Sequence, residues 1–135
     1  MARSVAGLFT TRAQVESVDG ALRDAGFEPE RITIVGPDGQ VLRLPGPPQE
    51  HHGLGTRLVE HLVHHGHPRA QAEEYHDSVA HEGRWLVAAA IQNDVEDADA
   101  RNLMVSAGAE QISSAVDGQM IMINRHGQED TGSQG

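Results

Sequence analysis

The chain has 135 residues, enough for one domain around a modest core, with 38% hydrophobic residues but only 3% aromatic. A formal net charge of −10 argues against nucleic acid as a partner, and so few rings leave no stacking platform for single strands. With no cysteine there is no disulfide, thiolate ligand or thiol nucleophile, and every basic residue is Arg, which removes Lys chemistry.

Val5 to Phe9 reads as a strand. Thr10 and Thr11 can cap a helix over about residues 12–25, with Ala13, Val18, Ala21, Leu22 and Ala25 on one face. Gly26 supplies a left-handed stop. Ile32 to Val35 is a second strand, Gly36 to Gly39 a turn, and Gln40 to Leu44 a third strand. Residues 45–53, with prolines, glycines and the pair His51-His52, form a linker. Leu54 to His65 has Leu54, Leu58 and Leu62 four apart, widened by Val59 and Val63, and Gly66 ends it. Pro68 suits the first position of the next helix, which carries Ala72, Tyr75 and Val79 inward and stops at Gly83. Arg84 to Ile91 is a buried strand, and Asp94 to Ala107 a helix with Val95, Ala98, Leu103 and Ala107 on its apolar stripe. Ile112 to Val116 and Gln119 to Ile123 flank Asp117-Gly118, a two-residue hairpin signal. Residues 124–135 are polar and Gly-rich and are expected to be a disordered tail.

The chain repeats itself weakly. Val5-Ala6 aligns with Val87-Ala88, Ala25-Gly26 with Ala107-Gly108, and Asp38-Gly39-Gln40 with Asp117-Gly118-Gln119. The shared residues fall at strand starts, helix stops and hairpin turns. Each half reads strand-helix-strand-strand, and two halves predict a mostly antiparallel sheet with helices packed on one face. The expectation is therefore one α+β domain over residues 1–123, a ferredoxin-like sandwich. Its halves span 4–44 and 84–123, and a His-rich helical pair, 54–83, is inserted between them.

VAGLFTTRAQVESVDGALRDAGFEPERITIV resembles the opening of the bacterial general stress (heat-induced stress) protein domain, with its apolar strand, Ala-rich helix and Gly-Phe joint. HPRAQAEEYHDSVAHEGRWLVAAAI resembles the second half, where a short helix bearing a Tyr (here Tyr75) ends at a Gly (here Gly83) and enters an apolar strand. The likeness covers about residues 4–45 and 67–116. It implies a small ferredoxin-like, stress-associated domain without an established reaction. The family pattern often has a Gly-rich apolar stretch where this chain carries its His-rich helix.

The chemistry concentrates between His61 and Gly83. His61 and His65 lie four apart on one helical face, a chelating pair for Zn, Ni or Cu. Glu60 and His64 form a second such pair, and Glu73 with His76 has the Glu-x-x-His spacing of carboxylate-bridged metal bundles. Adjacent antiparallel helices could gather His61, His64, His65, His67, His76 and His81. Haem through one axial His is a weaker reading, since rings to line a porphyrin pocket are scarce. Clustered imidazoles also suit a pH switch. His76, Asp77 and Ser78 are sequence neighbours and point different ways on a helix, so they form no hydrolase triad. Paired carboxylates such as Asp97 and Asp99 read as solvated. Tyr75, Arg84 and Trp85 are the candidate ligand or interface residues, and an enzyme site would need a polar cleft near Tyr75, His76 and Arg84.

The expected function is a non-enzymatic, stress-associated binding module. Gln119 to Ile123 is apolar on both faces, so a homo-oligomer is expected. The opening residues hold no apolar run long enough for a signal peptide and no stretch is long enough to span a bilayer. A cytoplasmic protein without membrane insertion is the expectation.

Overall fold

A computed structural model of the chain describes residues 2–44, 54–123 and 129–130. The linker at 45–53 and, apart from residues 129–130, the tail at 124–135 lie outside the described residues. The fold is α+β, an open antiparallel sheet with four helices. In chain order the elements are β1 (Arg3–Phe9), α1 (Arg12–Asp24), β2 (Ile32–Val35), β3 (Val41–Arg43), α2 (Leu54–His64), α3 (Arg69–Glu82), β4 (Trp85–Ala90), α4 (Asp94–Ser106), β5 (Glu110–Val116), β6 (Gln119–Ile123) and β7 (Glu129–Asp130). The sheet runs β3-β2-β4-β1-β5-β6-β7. Because β4 pairs antiparallel with both β1 and β2, those two are parallel with β4 between them. In the same way β4 and β5 are parallel with β1 between them.

Local chemistry sets the ends of α1 and α4. Thr11 caps α1 by accepting from the Gln14 amide, and the Gln14 side chain reaches back to complete a capping box. Asn93 caps α4 by accepting from the Glu96 amide, and the Glu96 carboxylate accepts from the Gln92 amide. Both helices are 13 residues long and end on an Ala, at Ala25 and Ala107. At each exit a glycine takes a left-handed conformation, Gly26 at φ 104° and Gly108 at φ 87°. The Asp-Gly pairs at 38–39 and 117–118 both have positive φ at each residue, the geometry of tight hairpin turns.

The helices do not share one face of the sheet, contrary to the sequence expectation. α1 and α4 cover one side, around Val5, Phe9, Ile32, Ile34, Val87 and Ala89. α2 and α3 cover the other, around Ala6, Leu8, Val35, Leu86 and Ala88. The physical reason lies in the strands: β2 and most of β4 are buried at every residue, so both of their alternating faces need cover.

The helix faces also shift from those expected. α1 buries Val15, Val18 and Leu22 while Ala13 and Ala25 are exposed. α4 buries Asp97, Ala100 and Met104, and Val95 is 70% exposed. Asp97 turns inward because it is an ionic junction. Its carboxylate accepts from Ser114 Oγ at 2.7 Å and pairs with Arg3 at 3.0 Å and with Arg101. The expectation of a solvated Asp97 is therefore corrected.

Candidate functional site

The face beneath α2 and α3 is where polar chemistry meets the sheet. Register places Thr33, Ala88, Ala6 and Ser113 in one line across β2, β4, β1 and β5. Two small alanines lie in the middle and a hydroxyl at either end. Each hydroxyl receives a ring from the helical pair. Thr33 Oγ1 lies 2.7 Å from His61 Nε2, and Ser113 Oγ lies 2.6 Å from the Tyr75 hydroxyl. The Tyr75 hydroxyl donates to the Gln111 carbonyl at 2.7 Å, which can only accept, so Ser113 must donate to Tyr75. Gln111 sits at φ 51°, in the irregular pairing of β5 with β1, and Tyr75 pins its carbonyl. Burial raises the Tyr75 pKa, so it stays a neutral hydroxyl.

His61 and His65 stand side by side, ring centroids 4.5 Å apart, with His64 edge-on to His65 at 5.4 Å. Burial first, then the neighbouring His65, His64 and His67, push the His61 pKa down to about 4. Burial also lowers His65, with His64 adding to it. Ser4 Oγ donates to the His65 carbonyl at 3.0 Å. Ser4, His61 and His65 line a small dent of about 10 Å³, room for little more than one water, that also touches Glu30, Arg31 and Thr33.

His67 is separate from that group. It is 1% exposed, and its Nδ1 lies 2.9 Å from Gln71 Oε1. The Gln71 amide nitrogen points at two thioethers, 3.1 Å from Met120 Sδ and 3.7 Å from Met122 Sδ. Sulfur accepts here, so the Gln71 nitrogen donates and its oxygen must accept from His67 Nδ1–H. That fixes the His67 tautomer and leaves Nε2 as a bare lone pair. Nε2 is buried and has no hydrogen-bond partner among the described residues. Burial lowers the His67 pKa against the raising effect of Gln71, keeping the ring neutral.

The six histidines therefore divide. His61 and His64 on the last turn of α2 cluster with His65 just past its end, and His67 faces Gln71. His76 is half-buried beside Asp77, at 3.5 Å, and His81 is exposed. Among the described residues no group of three or more His, Asp or Glu side chains is placed to hold a metal ion. His51 and His52 lie outside the described residues. Trp85 is core, 5% exposed, and closes on Gly36, where an added Cβ would lie 2.5 Å from its ring. Arg84 pairs with Glu110. A wider, open cleft of about 610 Å³ lies elsewhere, bounded by Arg3, Asp97, Arg101 and Ile121.

Gln71, Met120 and Met122 escaped the sequence reading. The available signal was Met-x-Met on one strand, which puts both sulfurs on one face. Comparison with protein-family models, curated proteins and solved structures finds no match for this chain. No helix among the described residues is long and apolar enough to cross a membrane.

Proposed function

We propose that the chain is a non-enzymatic, stress-associated binding module that works as a homodimer on a ferredoxin-like, internally duplicated frame. The duplication is supported by matched joints. Thr11 and Asn93, Gln14 and Glu96, and Ala25 and Ala107 recur at one constant spacing in equivalent roles. The pairing of β1 with β4 is centred on Ala6 and Ala88, which stand at that same spacing. The stress association rests on the family resemblance of residues 4–45 and 67–116, and a rise in the protein's abundance on heating the cells is its test.

The observation that carries dimerisation is the free end of β6. Met120 is 36% and Ile121 37% exposed, and they point to opposite faces of the sheet. Beyond Gln119 to Ile121 no strand is paired among the described residues, since β7 meets only Met122 and Ile123. The segment QMIMI is uncharged in a chain of net charge −10, so two copies meet there with least repulsion. It has no Lys, Pro or inward charge of the kind that protects a lone edge. A second copy, paired antiparallel about a two-fold axis, matches the edge to itself. Sedimentation equilibrium is the test. The wild type should be dimeric and Ile121→Arg monomeric with an unchanged far-UV spectrum. A monomeric wild type at its highest soluble concentration sinks the reading.

A further inference from the structure

We propose that Asp38 is a site of self-modification: with Gly39 it closes to a succinimide and reopens as isoaspartate, which makes the chain a substrate for an S-adenosylmethionine-dependent isoaspartyl carboxyl methyltransferase. The chain holds three Asp-Gly pairs, at 19–20, 38–39 and 117–118. A glycine after aspartate has no Cβ to shield the amide nitrogen that must attack. Sequence therefore marks all three pairs alike, and the fold separates them. Asp19-Gly20 lies inside α1, where the amides are committed to carbonyls one turn back. Its carboxylate is also held by Arg43 at 3.0 Å and Arg23 at 3.3 Å. Asp117 and Gly118 are tied at both reacting groups. Asp117 Oδ1 accepts from the Ala2 amide at 3.0 Å, and the Gly118 amide donates to the Gly66 carbonyl at 2.7 Å.

Asp38 has the same turn backbone as Asp117, φ 59° against 48°, without those ties. Asp38 and Gly39 are both exposed, and a Cβ added at Gly39 would meet nothing within 4 Å. Among the described residues neither the Asp38 carboxylate nor the Gly39 amide has a hydrogen-bond or ionic partner. The turn is held instead by Gly36 N–H on the Gln40 carbonyl at 2.7 Å and by Gln40 N–H on the Pro37 carbonyl at 3.2 Å. In the step itself the Gly39 nitrogen bonds to Asp38 Cγ, and the carboxyl hydroxyl leaves with the amide proton as water. Water then adds back. Opening at Cγ restores aspartate. Opening at the Asp38 main-chain carbonyl leaves Gly39 joined through Cγ, with one more methylene in the main chain and a free α-carboxylate. The methyltransferase esterifies that carboxylate, taking the methyl from the sulfonium and releasing S-adenosylhomocysteine. The longer turn displaces β3 from its register of Ile34 with Arg43 and Val35 with Val41. The pair lies at the other edge of the sheet from β6, so the site stands whether or not the chain dimerises.

The test is prolonged incubation of the full chain in neutral buffer, followed by tryptic mapping with electron-transfer fragmentation, which tells isoaspartate from aspartate. The three pairs fall on separate peptides, residues 13–23, 32–43 and 102–125. Isoaspartate should form about tenfold faster at Asp38 than at Asp117, where ring closure must first break hydrogen bonds at both reacting groups. The aged chain should accept labelled methyl groups from a purified isoaspartyl methyltransferase. Asp38→Glu, which cannot close the five-membered ring, should take up almost none, and its far-UV spectrum checks its fold. In guanidinium chloride, with the fold removed, the three pairs should react at similar rates. The idea is overturned by no isoaspartate at Asp38, by equal rates at the three pairs in the folded chain, or by the same preference for Asp38 persisting in denaturant.

Discussion

At the scale of single residues the histidines act through desolvation. His61 has a pKa near 4 in the fold against an ordinary value of 6.5. Between those values the unfolded chain binds a proton that the folded chain refuses. The neutral ring therefore supports the fold fully above pH 6.5 and loses that contribution as pH falls toward 4. His65 and His67, also lowered, add in the same direction. Around His61 the other titratable or charged groups are Glu30 and Arg31 beside it, His64 on its own helix, and His65 and His67 just past the end of that helix. His61→Asn can keep a hydrogen bond to Thr33 without titrating. Melting midpoints at neutral pH and at pH values between the two pKa limits should converge: the wild type drops further than the variant on acidification. Parallel curves would place the acid sensitivity in other groups.

At the scale of elements the helix stops do different amounts of work. Gly83 ends α3 at φ 72° with open space where a Cβ would go. Gly66 follows α2 at φ 101°, and there an added Cβ would lie 2.5 Å from the Ala2 carbonyl oxygen. Gly66 also accepts the Gly118 amide at 2.7 Å, so it ties the helical pair to the β5–β6 turn. Gly83→Ala should cost ~1 kcal/mol, the strain of a left-handed residue alone. Gly66→Ala adds a backbone clash and should cost ~2 kcal/mol more, read from urea midpoints. These stops were legible in the sequence because a left-handed exit is a local requirement that only a few residues meet. The faces of α1 and α4 were less so. Alanine does not mark the inner face, being exposed at Ala13 and Ala98 and buried at Ala100, and the inward Asp97 breaks the apolar pattern for a reason that sits on β1 and β5. The side of the sheet that takes α2 and α3 is a tertiary fact with no local signature. So is the link that Gln71 makes between His67 and Met120, which lie far apart in the chain.

At the scale of the molecule α2 and α3 close the second of two core clusters. They bury Leu58, Leu62, Ala72, Tyr75 and Val79 against Ala6, Leu8, Val35, Leu86 and Ala88. The sheet with α1 and α4 alone would present that apolar face to water. At ~25 cal/mol per Å² the exposure is comparable to the whole net stability of a small domain. Replacing residues 45–83 with a short Gly/Ser linker should therefore abolish cooperative unfolding and give a chain that binds the dye ANS or precipitates. The opposite outcome, a soluble chain with a sharp transition and no dye binding, would mean that the sheet with α1 and α4 folds without cover and α2 and α3 are only an attachment. The pairs Thr33–His61 and Ser113–Tyr75 argue for the first result. Removing the helices loses both of those bonds together with the cover over the apolar surface between them, and water regains only the hydroxyls.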